Sequence, residues 1–338
     1  MLKLIEKIQI ILSILLLTIS QQSCYSDDSP ETIVDTEYET GMWFVGQLSS
    51  VGDARYVKGH IINSIQYAFV AAGSSGMSVA NVTNGNSPIL VSNYATNGFT
   101  KEVLIDTVNG SHYVFISDTL RGLYILNATI PATLVLDTNI SYSGVNSIAR
   151  KGSYIYVALS NNTVKVIDIS QLPASVSEVA SYNSVNPVRR IEIYNNTAYF
   201  VERGIGIELV NIANPLNPVQ LSSIAPSGSC NDIKIANGII YVADGSSGVS
   251  IINSVNPSQP YFVNTFDTET NVRSIDYSPN FLFIAEGSTG VEVLNVFNPV
   301  EPDYVGFYEP GNTCYSVNYF KAKVLVANGL GGLLILRF

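Results

Sequence analysis

The segment Ile239–Pro257, IIYVADGSSGVSIINSVNP, determines the fold of this chain. Two short apolar runs, Ile239–Ala243 and Val249–Ile252, flank an Asp-Gly-Ser-Ser-Gly turn. Because β-branched and aromatic residues favour strands and glycine supplies the positive φ of a tight turn, the segment predicts a β-hairpin. Related segments begin at Tyr67 (YAFVAAGSSGMSVANV) and Phe281 (FLFIAEGSTGVEVLNVFNP), so the hairpin is a repeated unit.

The repeat has a period close to 42 residues. The last residue of the first hairpin strand recurs at Val70, Ile116, Val157, Val201, Val242, Ile284 and Val326. Consecutive members are 46, 41, 44, 41, 42 and 42 residues apart. A period of this length, built only from strands and turns, is typical of a β-propeller blade rather than of a helical solenoid.

Each hairpin lies between two further predicted strands. A short strand such as Arg273–Tyr277 leads directly into the hairpin, and another such as Asp303–Phe307 follows a proline-containing loop. Proline cannot donate to a strand ladder, so it marks the loop between these strands. We label the four strands of each unit A to D in chain order, with B and C forming the hairpin.

The number of strands predicts how the ring closes. Seven A, B and C strands are present, but only six D strands follow a C strand, because the seventh C strand ends near Phe338. The segment Met42–Gly46 (MWFVG) matches the D pattern and precedes the first A strand. We therefore expect an all-β, seven-bladed β-propeller of four-stranded blades over residues 41–338, closed by the N-terminal strand, with Trp43 and Phe44 in its core.

The units resemble LVIVD repeats. Ile240–Gly248 (IYVADGSSG), followed by Ile251–Asn253, carries the first half of that pattern, and Val166–Ser170 (VIDIS) matches the second half. The second and third units depart from the pattern at their turns, which read SDTL and SNNT. The resemblance covers residues 41–338. It implies a propeller fold and an association with bacterial and archaeal surface or secreted proteins, and it implies no defined activity.

The N-terminal segment predicts export. A basic start precedes the apolar run Ile8–Ile19, which is too short for a typical transmembrane helix. Residues 1–24 end in Ser23-Cys24 and resemble a bacterial lipoprotein signal peptide, in which a small residue precedes the lipidated cysteine. Cys24 is therefore the predicted lipidation site. The alternative is an ordinary cleaved signal peptide, with Cys24 incidental.

Residues 25–40 are expected to form an acidic, flexible tether. The segment contains six acidic residues and no Lys or Arg, so it repels itself and stays solvated. Signal and tether together predict a protein at the cell surface or outer membrane, anchored in the membrane by lipid, or alternatively a secreted protein.

Composition excludes several classes of function. The net charge of −10 argues against nucleic acid as a partner, because phosphate binding needs clustered Lys and Arg. The chain has only three cysteines and two histidines, without metal-ligand spacing, so no metal site and no cofactor are expected. His60 and His112 lie near A–B turns of different units and are expected to be solvated loop residues.

Cys230 and Cys314 are 84 residues apart, which is two repeats. They therefore occupy the same position in two non-adjacent blades, too far apart for a disulfide. Both are expected to be small, buried, unpaired residues. Asp244 and Glu286 lie at hairpin turns, where acidic residues satisfy turn geometry, and a structural role is expected for both.

One repeat position stands out by its charge. Two residues before the centre of each A strand lie Arg55, Lys101, Asn146, Arg189, Asn231, Arg273 and Tyr315. A strands are the innermost strands of a propeller, so their N-terminal ends surround one mouth of the central channel. We predict that Arg55, Lys101, Arg189 and Arg273, with Tyr315, bind an anionic ligand there. The alternative is a structural role, in which Asp53, Glu102 and Asp232 neutralise the ring.

Two classes of function fit these features. The first is a non-catalytic, monomeric surface module whose propeller binds an extracellular protein or glycan. The second is an exported lyase or hydrolase with its site at the channel mouth. The absence of histidine near any A-strand start favours binding over catalysis. A quinoprotein-like redox propeller is disfavoured because Trp43 is the only tryptophan.

Overall fold

The computed structural model describes residues 41–202, 204–268 and 270–338. Within them the chain forms seven antiparallel sheets of four strands each, and the predicted all-β, seven-bladed architecture is confirmed. The predicted signal peptide, the acidic tether and Cys24 lie outside the described residues. A single turn of 3-10 helix, Ser49–Val51, separates the first two strands.

The strands alternate with short loops throughout. In chain order they are β1 (Trp43–Leu48), β2 (Tyr56–Ile62), β3 (Ile65–Ala71), β4 (Met77–Asn81), β5 (Ile89–Tyr94), β6 (Thr100–Val108), β7 (Ser111–Asp118), β8 (Gly122–Asn127), β9 (Val135–Ile140), β10 (Val145–Lys151), β11 (Tyr154–Leu159), β12 (Thr163–Asp168), β13 (Ser177–Asn183), β14 (Val188–Tyr194), β15 (Thr197–Glu202), β16 (Gly206–Asn211), β17 (Val219–Ile224), β18 (Asp232–Ala236), β19 (Ile239–Ala243), β20 (Val249–Asn253), β21 (Tyr261–Phe266), β22 (Ser274–Ser278), β23 (Phe281–Ala285), β24 (Val291–Asn295), β25 (Asp303–Tyr308), β26 (Ser316–Phe320), β27 (Lys323–Ala327) and β28 (Leu333–Arg337).

Blades 1 to 6 each consist of four consecutive strands, beginning with β2 to β5. Blade 7 has the order β1-β28-β27-β26, so the N-terminal strand pairs with the C-terminal one. The inner strands contact one another around the ring, and β26 contacts β2. The predicted closure is therefore confirmed.

The prediction that Phe44 belongs to the core is wrong. Its side chain is 50% exposed, and Trp43 is only partly buried. A register shift between Phe44 and Gly46 interrupts the simple alternation of faces along β1. Met42 and Val45 pack into the core instead.

The core consists of seven hydrophobic clusters, and each cluster is formed by two neighbouring blades. Phe115 of blade 2, for example, shares a cluster with Val157 of blade 3, and both side chains are fully buried. Because each blade buries its two faces against its neighbours, stability depends on an unbroken ring.

The hairpin turns explain the repeated glycine. Gly248 has φ 77°, and a Cβ at this position would lie 2.2 Å from the carbonyl oxygen of Phe266. Only glycine fits both constraints. In the third repeat the turn has no glycine, and Asn162 takes φ 65° instead, a conformation that asparagine tolerates better than most residues.

The cysteine prediction and the structural role predicted for Asp244 are confirmed, and the histidine prediction is wrong. Cys230 and Cys314 are buried and unpaired. Asp244 is fully buried. It accepts hydrogen bonds from the Gly228 amide and from the Ser250 hydroxyl, and its role is therefore structural. His60 and His112 are half-buried strand residues of β2 and β7 that contact each other, because the two neighbouring blades bring these strands together.

Candidate functional site

The seven residues of the charged repeat position, which we call the ring residues, lie together at one mouth of the channel. All seven line a single cavity of about 380 Å³, which we call the rim cavity. They are contributed by the seven blades at or just before the start of each inner strand: Arg55, Lys101, Asn146, Arg189, Asn231, Arg273 and Tyr315. Residues up to 260 positions apart in sequence therefore share one site.

The structure adds lining residues that the sequence did not indicate. The rim cavity is also lined by Tyr56, Phe99, Glu102, Arg190, Asp232 and Asn271. In three blades the ladder between the inner two strands skips the ring residue, at Lys101, Asn146 and Arg189. At such a bulge the side chains no longer alternate strictly, so Arg189 and Arg190 both line the cavity.

Tyr315 brings two arginines of the rim together. The guanidinium carbon of Arg55 lies 4.2 Å from the centre of the Tyr315 ring, and that of Arg273 lies 5.2 Å from it. Both separations are in the range of cation–π attraction, which offsets the repulsion between the two cations. Arg55 Nε also donates to Asp53 Oδ2 at 2.9 Å, and Lys101 Nζ donates to Asn146 Oδ1 at 3.2 Å.

Beneath the rim, Arg190 links four blades across the channel. Its Nη1 pairs with Glu102 Oε1, its Nη2 donates to the Tyr56 hydroxyl at 2.8 Å, and its Nε lies 2.9 Å from Asp232 Oδ1. These groups belong to blades 1, 2, 4 and 5. We call Arg190, Glu102, Asp232 and Tyr56 the floor cluster, because they form the base of the rim cavity.

Two acidic residues near the rim, Glu102 and Asp232, belong to the floor cluster. Glu102 and Asp232 are only 5% and 6% exposed, and both carboxylates contact Arg190. Burial raises the pKa of Glu102, and the Arg190 charge opposes that rise. Of the three acids that the sequence offered as neutralising partners, Asp53 pairs with Arg55, while Glu102 and Asp232 pair with Arg190.

The rim cavity therefore has an excess of positive charge. Five basic side chains line it against two acidic ones, in a chain whose net charge is −10. A concave site with low-dielectric walls concentrates such a field, which attracts anions. Guanidinium groups present planar pairs of N–H donors that match a carboxylate.

A second charged layer fills the channel below the floor cluster. Lys234 Nζ lies 3.3 Å from Glu192 Oε1 and 3.2 Å from Asp276 Oδ1, and Asn318 Nδ2 donates to Asp276 Oδ2 at 2.8 Å. Burial lowers the pKa of Lys58 in the same layer, and the Lys234 charge lowers it further. These side chains continue the cross-blade contacts below the floor cluster.

A buried pair of carboxyl groups holds the loop before Arg189. Glu202 and Glu208 are almost inaccessible, and Glu202 Oε1 accepts a hydrogen bond from the Val185 amide at 3.1 Å. Burial, together with the contact to Glu208, raises the pKa of Glu202 to about 7. The raised pKa favours the protonated form of Glu202, which reduces the repulsion between the two adjacent carboxyl groups.

Two further cavities are lined by fewer basic side chains than the rim cavity. One of about 570 Å³ lies beside blades 2 and 3 and contains Arg121 as its only basic side chain; the hydroxyl of its Tyr142 already donates to Glu178. Another, of about 300 Å³, lies at the turns of blades 4 and 5 and is lined by no charged residue. All seven blades contribute to the rim cavity.

Among residues 41–202, 204–268 and 270–338, no group of three or more His, Cys, Asp or Glu side chains could hold a metal ion. Over the same residues, no helix is long and apolar enough to cross a membrane.

The LVIVD repeat family matches three segments, residues 61–96, 144–184 and 227–268, which correspond to blades 1, 3 and 5. The WD40 domain of Neurospora crassa Pan2 is 12% identical, with a TM-score of 0.67 over 88% of this chain and 95% of that domain. The computationally designed Ika8 protein is 9% identical, with a TM-score of 0.60 over 87% of this chain and 98% of that one. No curated protein matches the chain.

Both structural likenesses concern the fold alone. The fold places the chain among closed, seven-bladed β-propellers with a basic cavity at one mouth of the channel. More particularly, three of its seven blades match the LVIVD repeat.

Proposed function

We propose that this protein is a non-catalytic, surface-exposed lipoprotein whose propeller binds an extracellular protein or glycan through a carboxylate group. The observation that carries the proposal is the rim cavity, where five basic side chains from different positions of the chain meet in an otherwise acidic protein. Seven packed blades hold the side chains of the rim in place before a ligand binds, so little conformational entropy is lost on binding.

The residue types of the rim suit recognition better than catalysis. The cavity contains arginines, asparagines and the aromatic side chains of Phe99, Tyr56 and Tyr315, which together can bind a carboxylate, hydroxyl groups and an apolar ring face. Neither of the two histidines lines it, and its two carboxylates both contact Arg190. These features support a binding role over an exported hydrolase or lyase.

Replacing two ring arginines should weaken ligand binding without unfolding the protein. We expect Arg189→Ala combined with Arg273→Ala to reduce affinity for an anionic ligand by more than about tenfold, roughly 1.4 kcal/mol. The ligand is first selected by probing arrays of acidic and neutral glycans and peptides with the full-length chain. Calorimetric titration then gives the affinity, and thermal melting reports on the fold.

A matched control removes the same charge elsewhere. Lys321→Ala with Arg337→Ala eliminates two cations that lie outside the rim cavity, and it should leave affinity within about twofold of the wild-type value. If the rim and control variants bind equally well, the rim is not the site. If the rim variant loses its melting transition as well, its arginines are structural.

Membrane attachment through Cys24 is the second part of the proposal, and it rests on the signal-like N-terminal sequence. Cys24→Ala should move the protein from the membrane fraction to the soluble fraction of its bacterial host. Mass spectrometry of the mature N-terminus measures the acyl groups directly. An unmodified terminus in the wild-type protein would show that the signal is of the ordinary cleaved kind.

A further inference from the structure

The only two histidines of this chain contact each other. His60 Nε2 lies 3.1 Å from His112 Nδ1, with ring centres 5.2 Å apart and ring planes at 72°. They are 52 positions apart in sequence, on β2 of blade 1 and β7 of blade 2. The contact therefore depends on the packing of two blades, and a local motif could not have indicated it.

A third donor atom completes the cluster. Thr107 Oγ1 lies 3.2 Å from the same Nδ1 of His112. A neutral imidazole has one donor and one acceptor nitrogen, so Nδ1 of His112 can form one good hydrogen bond but faces two polar neighbours. We call His60, His112 and Thr107 the histidine cluster.

The spacing of the two nitrogens matches a pair of metal ligands. Imidazole nitrogens bind ions such as Zn²⁺ at roughly 2.0–2.1 Å, so two adjacent ligands lie about 2.9 Å apart at the right angles of a tetragonal Cu²⁺ site and about 3.3 Å apart in a tetrahedral Zn²⁺ site. The observed separation of 3.1 Å lies between these two values.

From this geometry we propose that the histidine cluster binds one divalent first-row transition-metal ion, with His60 Nε2 and His112 Nδ1 as ligands and Thr107 Oγ1 beside the remaining, water-filled positions. Imidazole donors select Cu²⁺, Ni²⁺ and Zn²⁺ over Mg²⁺ and Ca²⁺, and Cu²⁺ binds most tightly in this series. The site is independent of the rim cavity, which neither histidine lines.

The surroundings are compatible with a cation. Both histidines are only half buried, so an ion can reach them from solvent. The negative charge of the Asp106 carboxylate attracts positive charge at His60, although Asp106 also forms an ion pair with Arg150.

The site differs from the metal centres that sequence spacing detects. No group of three or more His, Cys, Asp or Glu ligands occurs in the described part of the chain, so two imidazoles must supply the protein ligation. Such a site leaves several coordination positions to water, and its ion exchanges readily. A bound ion would also connect blades 1 and 2.

The test uses the full-length chain with any polyhistidine tag removed. Titration with Cu²⁺, followed by calorimetry and electron paramagnetic resonance, should give one ion per chain with hyperfine coupling from two imidazole nitrogens. Since no other imidazole exists in the chain, this signal can arise only from His60 and His112. Zn²⁺ should raise the melting temperature of the wild-type protein, because it binds the folded state.

Single variants assign the ligands. His60→Ala and His112→Ala should each weaken Cu²⁺ binding at least tenfold and remove the Zn²⁺-dependent rise in melting temperature. Thr107→Val should have a smaller effect. If either alanine variant fails to fold, His60→Gln and His112→Gln retain the size of the side chain and take its place.

Two outcomes would overturn the proposal. The first is a wild-type spectrum without imidazole coupling, which would mean that the pair is only a hydrogen bond between blades. The second is Cu²⁺ affinity that does not change in the histidine variants, which would place the ion on other groups such as the N-terminal amine.

Discussion

Deletion of Met42–Leu48 from the full chain should lower the melting temperature sharply or cause aggregation. The deletion removes β1, so β28 loses its ladder partner and becomes an exposed edge strand. It also removes Met42 and Val45 from the clusters at the two faces of blade 7. Loss of a buried side chain of this size costs about 2–5 kcal/mol, against a typical stability of roughly 5–15 kcal/mol.

Two point variants test whether the loss of stability comes from the buried side chains of this segment rather than from its exposed aromatic residue. Met42→Ala should destabilise by about 2 kcal/mol or more, because the side chain is buried. Phe44→Ala should change stability by less than about 0.5 kcal/mol, because half of this side chain faces solvent. Unchanged melting of the deletion variant would contradict closure of the ring by β1.

Replacing Arg190 should be the most damaging single substitution in the channel. Arg190→Ala leaves Glu102 and Asp232 buried without their cation, and breaking a buried ion network in this way costs about 3–5 kcal/mol. Chemical denaturation of the wild-type and variant proteins measures the difference.

The cost of Arg190→Ala should depend on pH with a definite sign. The pKa of Glu102 is already raised by burial, and removal of the Arg190 charge raises it further. A buried carboxyl with a raised pKa destabilises the folded state once it must ionise, so the loss should be smaller at pH 5 than at pH 8.

Neutralising both acids should rescue much of the damage. Arg190→Met combined with Glu102→Gln and Asp232→Asn removes the uncompensated charges while retaining side-chain volume. We expect the triple variant to be more stable than Arg190→Ala. An Arg190→Ala protein within about 1 kcal/mol of wild type would contradict the assignment of Arg190 as the link between four blades.

The repeat and the grouping of the ring residues at one mouth could be predicted because their determinants are local. The 42-residue period, the turn glycines such as Gly248 and the proline loops each act within one blade, and blade symmetry then places equivalent residues at one mouth. The same reasoning found that Met42–Gly46 completes the seventh blade.

The remaining features depend on departures from that regularity. The bulge at Arg189 turns two consecutive residues into the channel, so Arg190 was not identified from alternation. A shift along β1 leaves Phe44 exposed. The contact between His60 and His112 depends on how blades 1 and 2 pack, which a pattern along one strand does not contain.

The preference of the rim for a carboxylate is the most direct test of the proposed function. Calorimetric titrations would compare a carboxylate-bearing ligand with its uncharged amide, each against the wild-type chain and the Arg189→Ala, Arg273→Ala variant. We predict that the wild-type protein prefers the carboxylate by more than about tenfold, and that the variant loses most of that preference. A preference of equal size in both proteins would contradict anion binding at the rim cavity.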